Sequence, residues 1–204
     1  MPRVLSETDV ADFRERLCEA ASRLFAARGR DAFTMRELAA ELGVSAMTPY
    51  RYFRDKDEIL AAVRARAFTR FAEALEAGMR THGDALTKAA AVYDAYVDFA
   101  FGEPASYRLM FDLSQPNEED YPELVDATTR ARGTMTEYVR ALVDAGVLEG
   151  DPDLMGYVFW SSLHGAVVLQ LAGKLDPKYD FRTITQESFR ALSESYRKAA
   201  RQHA

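Results

Sequence analysis

Apolar residues recur along this chain at spacings of three and four, the stripe of an amphipathic helix, and no segment alternates as a half-buried strand must. Val10, Phe13, Leu17, Ala20, Ala21, Leu24 and Phe25 form the first stripe, and Gly29 stands where that helix would stop. Thr34-Met35-Arg36-Glu37 has the form of a capping box, opening a second helix that buries Leu38, Ala39 and Leu42 and ends at Gly43. Ser45 is placed to cap a short third helix reaching about Tyr52. Asp55, Asp57 and Glu58 set acids around the first turn of a long fourth helix, about residues 56–80. Beyond Gly83, the stretch 85–101 carries Ala89, Val92, Tyr93, Tyr96, Val97 and Phe99 on a broad apolar face. Pro104, Pro122 and Pro152 each occupy a first helical position, where proline is best tolerated. Residues 114–121 read as a polar, acidic loop, Gly146 and Gly173 as helix stops, and about 182–201 as a final helix. The pattern predicts an all-α chain of about nine helices without an internal repeat.

Composition narrows the class. The chain has 204 residues, 48% apolar and 28% charged, enough to bury a sizeable core. Its one cysteine, Cys18, forbids an intrachain disulfide or a multi-cysteine zinc site and reads as a small apolar filler. No 18-residue apolar run exists and MPRVLSETDV lacks the apolar stretch of a signal peptide, so a cytoplasmic chain with no membrane partner is expected. A glycine-rich phosphate loop, His-Glu-x-x-His and Gly-x-Ser-x-Gly are all missing from the sequence. The expectation is therefore no catalytic residue, no cofactor and no metal.

The net charge of −6 argues against a nucleic-acid partner until its distribution is considered. Residues 1–56 sum to +1 and residues 57–204 to −7. Arg51, Arg54 and Lys56 crowd together with only Asp55 against them. The body of the chain is unfit to approach phosphates, while a small N-terminal piece remains permitted.

That piece has the makings of a helix-turn-helix, in which two helices cross on a short turn. Ala39 supplies a small residue where the backbones approach, and Gly43, four positions later, tolerates the corner's positive φ. Leu38, Leu42, Val44 and Phe53 are placed to pin the pair to a third helix. At this level the sequence resembles the TetR family. The likeness is carried by Leu24-Phe25-Ala26-Ala27-Arg28-Gly29, Phe33-Thr34-Met35-Arg36-Glu37-Leu38-Ala39, Gly43-Val44-Ser45, Tyr50-Arg51-Tyr52-Phe53, Lys56 and Leu60, covering about residues 10–63. Tyr107-Arg108-Leu109-Met110-Phe111 and Trp160-Ser161-Ser162-Leu163-His164-Gly165 further resemble a branch with a Trp/His/Gly signature.

The resemblance implies a homodimeric transcriptional regulator, most often a repressor, released from a palindromic operator by a small apolar or amphipathic effector. Residues 1–55 would then bind DNA, and 56–204 would hold the effector and dimerise. With the third helix in the major groove, Thr48 and Arg51 are the candidates for base contact, Ala46 and Met47 for lying against the groove. Thr34, Ser45, Tyr50, Tyr52 and Lys56 would grip phosphates, and Arg36 joins this surface as a solvated cation rather than a base reader. Two departures stand out: Ala46 and Met47 occupy places where the family commonly has lysine and glycine, and Pro49 replaces a common leucine, removing an early backbone hydrogen bond.

In the C-terminal part, Phe99, Phe101, Tyr107, Met110, Phe111, Tyr157, Trp160 and His164 are candidates to line an apolar effector cavity, although residues of these types at helical spacing are more often core. Leu163, Val167 and Leu171 on the penultimate helix and Phe189, Leu192 and Tyr196 on the last are either intrachain core or a dimer seam, and the family favours the seam. Gly165 would let helices approach there. The rival class is a helical binding protein or enzyme whose N-terminal hairpin is only scaffold.

Overall fold

The structure, a computed structural model, describes residues 6–28, 33–112 and 117–202; the expected stop at Gly29 and loop residues Ser114, Gln115 and Pro116 lie outside them. Among the described residues there are eight α-helices and no strand. These are α1 (Glu7–Arg28), α2 (Met35–Glu41), α3 (Lys56–Met79), α4 (Ala85–Gly102), α5 (Pro104–Met110), α6 (Pro122–Asp144), α7 (Pro152–Leu171) and α8 (Phe181–Gln202). The expected third helix is the exception: residues 46–48 form a turn and Pro49–Arg51 a single 3-10 turn. Pro49 explains the correction, because it has no N–H to bond back to Ser45 as an α-helix requires. The Ser45 carbonyl instead accepts from Thr48 N at 2.8 Å, and Arg51 N and Tyr52 N bond three residues back, to Thr48 and Pro49.

The chain divides by packing into two compact units, Met1–Thr69 with Ala105–Thr128, and Arg70–Pro104 with Thr129–Ala204. The expected boundary at 55/56 falls inside the first of these units. In the first unit α1 buries Leu17, Ala20, Ala21 and Leu24 against Phe33, Leu38, Phe53, Ile59, Leu60 and Leu109. Cys18 belongs to this core, and burial pushes its thiol up, which keeps it protonated and unreactive. Arg64, buried in α3, donates from Nη2 to the Met110 carbonyl at 3.3 Å and to the Glu118 carboxylate at 2.7 Å. A buried guanidinium requires such partners, and here they tie α5 and the following 3-10 turn (Glu118–Asp120) to α3.

In the second unit Phe71 meets Tyr96 and Phe99 edge-on, with ring centroids 5.1 and 5.2 Å apart. Val139 and Leu142 of α6 and Met155 and Phe159 of α7 form the centre, with Phe189, Leu192 and Tyr196 of α8 packed against it. Helices α6 and α7 approach closely at Gly156, where a Cβ would stand 2.7 Å from Thr136 Cγ2. By length and composition α7 could cross a membrane, yet its Met155, Phe159 and Val167 side is core. Its opposite side leaves Leu154, Tyr157, Val168 and Leu169 exposed.

Candidate functional site

The N-terminal corner is built by local hydrogen bonding. Thr34 Oγ1 accepts from Glu37 N at 3.2 Å, while the Glu37 carboxylate accepts from Thr34 N at 2.7 Å, closing the predicted box. The Thr34 backbone and hydroxyl bonds, helped by Arg28, hold the Glu37 carboxyl below its ordinary value. At the other end of α2, Gly43 takes φ +66°, and Val44 N reaches back to the Ala39 carbonyl at 2.9 Å. Ser45 Oγ accepts from Met47 N at 3.3 Å, and the chain enters the turn. Leu38 and Phe53, 0% and 2% exposed, anchor the two ends in the core.

This construction presents a row of side chains outward. Thr34, Arg36, Ser45, Ala46, Met47, Tyr50 and Arg51 are exposed, Met47 by 68% and Tyr50 by 47%. Thr48 and Lys56 are half-buried, and Lys56 Nζ stands 4.8 Å from the centre of the Phe33 ring. Tyr52 is less free than expected, since its ring packs on Phe13 at 4.6 Å. Arg36 and Arg51 form no ion pair with any described residue, whereas Arg54 is held by Glu58 at 3.1 Å. A cation without a carboxylate partner is the more available for phosphate.

Arg14 was not legible as part of this site. Its Nη1 donates to the Tyr52 carbonyl at 2.5 Å, and its guanidinium lies 4.1 Å from the Phe53 ring centre. It thereby clamps the end of the turn from α1, thirty-eight residues away in sequence, with no local motif to announce it.

A second constellation lies wholly in the second unit. A cavity of about 50 Å³ is enclosed by Tyr93, Tyr96, Met135, Tyr138, Phe159 and Trp160 among others. Trp160 Nε1 donates to Tyr96 OH at 3.1 Å. Enclosure pushes the Tyr138 phenol up, so that it stays protonated. Beside the cavity, between α4 and α8, a groove of about 530 Å³ shares Ala89, Tyr93, Thr185 and Phe189 with it. The Tyr93 and Thr185 hydroxyls are 2.6 Å apart at this shared wall.

Of the eight cavity candidates, only Trp160 lines it. Phe99 is packed on Phe71, Phe101 meets Phe181 edge-on, and Tyr157 is 48% exposed. Tyr107 and Met110 are buried in the first unit, where Phe111 meets Phe68. His164 is half-buried beside Trp160, its pKa lowered by burial. The seam candidates also divide. Val167 is fully buried, Phe189, Leu192 and Tyr196 pack within the chain, Leu163 borders the cavity, and Leu171 is half-buried at the end of α7. Helical spacing marks a face as apolar but does not say which neighbour covers it.

Residues 89–196 match the family described as tetracyclin repressor-like, C-terminal domain, and residues 17–63 match the bacterial regulatory proteins of the tetR family. The chain belongs to the TetR family. Its relatives include an uncharacterised helix-turn-helix-type transcriptional regulator of Mycobacterium tuberculosis, 29% identical over 80% of this chain and 72% of that protein. The transcriptional activator FasR of Mycolicibacterium smegmatis is 31% identical over 58% of this chain and 54% of its own length. Among solved structures, a Rhodococcus protein of unknown function superposes with a TM-score of 0.78 at 26% identity, covering 90% of this chain and 94% of that one. The Bacillus subtilis regulator FadR, solved with stearoyl-CoA, shares the fold at a TM-score of 0.71 and 19% identity, covering 88% and 97%. The protein is a DNA-binding transcriptional regulator of this family.

Proposed function

We propose that the protein is an effector-responsive repressor that binds a two-fold operator as a homodimer, with no catalytic step. The outward row from Ser45 to Arg51 is the observation that carries the reading. Thr48 and Arg51 read base edges, Ala46 and Met47 lie against the groove, and Thr34, Arg36, Ser45, Tyr50, Tyr52 and Lys56 face the phosphates. Exposed apolar atoms on Met47 suit a thymine methyl better than a phosphate.

The homodimer reading is supported by the open side of α7. Leu154, Tyr157, Ser161, Gly165, Val168 and Leu169 form one helical stripe, and only 28% of the apolar stretch of α7 is buried within the chain. Nothing lies within 4 Å of a Cβ built at Gly165, leaving room for a second backbone. A contiguous apolar patch of this kind marks an interface. The seam is therefore read from this stripe rather than from Val167, Phe189, Leu192 and Tyr196.

The effector reading rests on the apolar cavity and its adjoining groove in the second unit. Effector and DNA oppose each other reciprocally, because each binds one conformation of the protein better. FasR is named an activator, so the direction of regulation is itself part of the test. Selection of duplexes from a random pool by the purified protein should enrich inverted repeats with half-sites about one helical turn apart. A reporter carrying that repeat should be silenced by the protein. Enrichment without symmetry counts against the dimer, and activation of the reporter against repression.

A further inference from the structure

The α4–α8 groove is unlike the cavity behind it, because it has both room and charge. At about 530 Å³ it falls within the usual range for small-molecule sites, roughly 300–1,000 Å³, whereas the cavity of about 50 Å³ falls well below it. Helix α8 shows three faces. Thr185, Phe189, Leu192 and Tyr196 point inward, and Ile184, Ser188 and Ala191 follow on one side. Arg182, Gln186, Arg190, Ser193 and Arg197 line the groove on the other.

The charges in the groove do not cancel. Arg182 pairs with Asp94 at 3.3 Å, and Arg190 with Glu194 at 2.7 Å and with Glu187. Arg197 donates from Nε to the Val147 carbonyl at 3.3 Å and has no carboxylate partner among the described residues. One turn before it, Ser193 is only 7% exposed and its hydroxyl makes no hydrogen bond. A buried hydroxyl without a partner is unfavourable, and rotation about χ1 redirects it without moving backbone. An unsatisfied hydroxyl and a cation without a carboxylate partner thus stand at i and i+4 on one face.

We propose that Arg197 and Ser193 seat the anionic head, a carboxylate, of an amphipathic effector whose chain lies along the groove. The chain's end passes between Tyr93 and Phe189 toward the cavity bounded by Trp160. Thr185 Oγ1 contacts the Phe181 and Arg182 carbonyls, each at 3.1 Å, and uses its one hydrogen there. Tyr93 is therefore the donor in the Tyr93–Thr185 bond, which an incoming chain must break. This assignment rests on the effector reading above and adds to it the charge and polarity of the ligand.

Trp160 is the chain's only tryptophan and borders the cavity, so its emission reports arrival of the chain's end. Full-length protein is titrated with dodecanoate and with dodecan-1-ol, following Trp160. Dodecanoate should bind at least about tenfold more tightly, as expected for a hydrogen bond to a charged group. Arg197→Gln should remove most of that advantage, Arg197→Lys should restore part of it, and Ser193→Ala should lower it. Dodecan-1-ol binding should not respond to any of the three. If both probes shift Trp160 alike and Arg197→Gln changes neither, the head seat is refuted while the effector cavity stands. If neither probe moves Trp160, the cavity reading fails and the seat with it.

Discussion

Replacing Gly43 with alanine isolates the corner's backbone conformation from its packing. Gly43 sits at φ +66°, and an added Cβ would meet nothing within 4 Å. A clash therefore contributes nothing, and the loss is the left-handed strain alone, about 1–2 kcal/mol for a residue with a Cβ. Alanine also restricts the unfolded chain, which returns about 0.4–1 kcal/mol. The net destabilisation should be about 1 kcal/mol, and Gly43→Asn should lose less, since asparagine tolerates this region. Urea unfolding followed by helical circular dichroism, at one fixed protein concentration, measures it as a lower midpoint with unchanged slope. A loss above about 3 kcal/mol would mean that the position is crowded, as strain alone does not reach it. No loss at all would mean that Gly43 does not turn left-handed. Either result would refute the corner as described.

Four other outcomes are expected. Gly156→Ala should destabilise by about 1–3 kcal/mol in the same assay, because its Cβ would press 2.7 Å from Thr136 Cγ2 and 3.1 Å from the Met135 carbonyl. Gly165→Leu should leave the single chain's fold intact and raise the monomer fraction in sedimentation, because a Cβ there meets nothing described within 4 Å and the proposed seam runs over it. Burial lowers the His164 pKa, so the unfolded chain takes up its proton first; stability should fall as pH drops below about 6.5 and level off below the folded value. His164→Gln should flatten that part of the pH profile. Finally, with Arg36, Arg51 and Lys56 on each reading face, operator affinity should fall with salt at a log–log slope no steeper than about −5 for a dimer.

Much of this architecture was legible because its signals are local. The Thr34–Glu37 box, the prolines at 104, 122 and 152 and the glycines at 43, 146 and 173 each act within a few residues, and the helices begin and end beside them. Pro49 was legible as a missing hydrogen bond, but not as the loss of a whole α-helical turn. That depended on the Ser45 carbonyl finding Thr48 instead. Features made by distant partners could not be read at all. Arg14 meets Tyr52 and Arg64 meets Glu118 across 38 and 54 residues, and neither arginine differs in its local sequence from a solvated one. The aromatic candidates scattered for a related reason. Tyr107 and Phe99 do occupy apolar faces, but those faces are buried against other helices and away from the cavity.

The most direct test is operator binding by the parent protein and by Arg51→Ala, compared by fluorescence anisotropy after both have been shown to melt at the same temperature. Arg51 is exposed and unpaired by any described residue, so its loss should leave stability within about 0.5 kcal/mol. Affinity should drop by about 1–3 kcal/mol for each half-site contacted, tenfold or more overall, with relaxed preference at the base pair it reads. Undiminished affinity and unchanged sequence preference in Arg51→Ala would contradict the account.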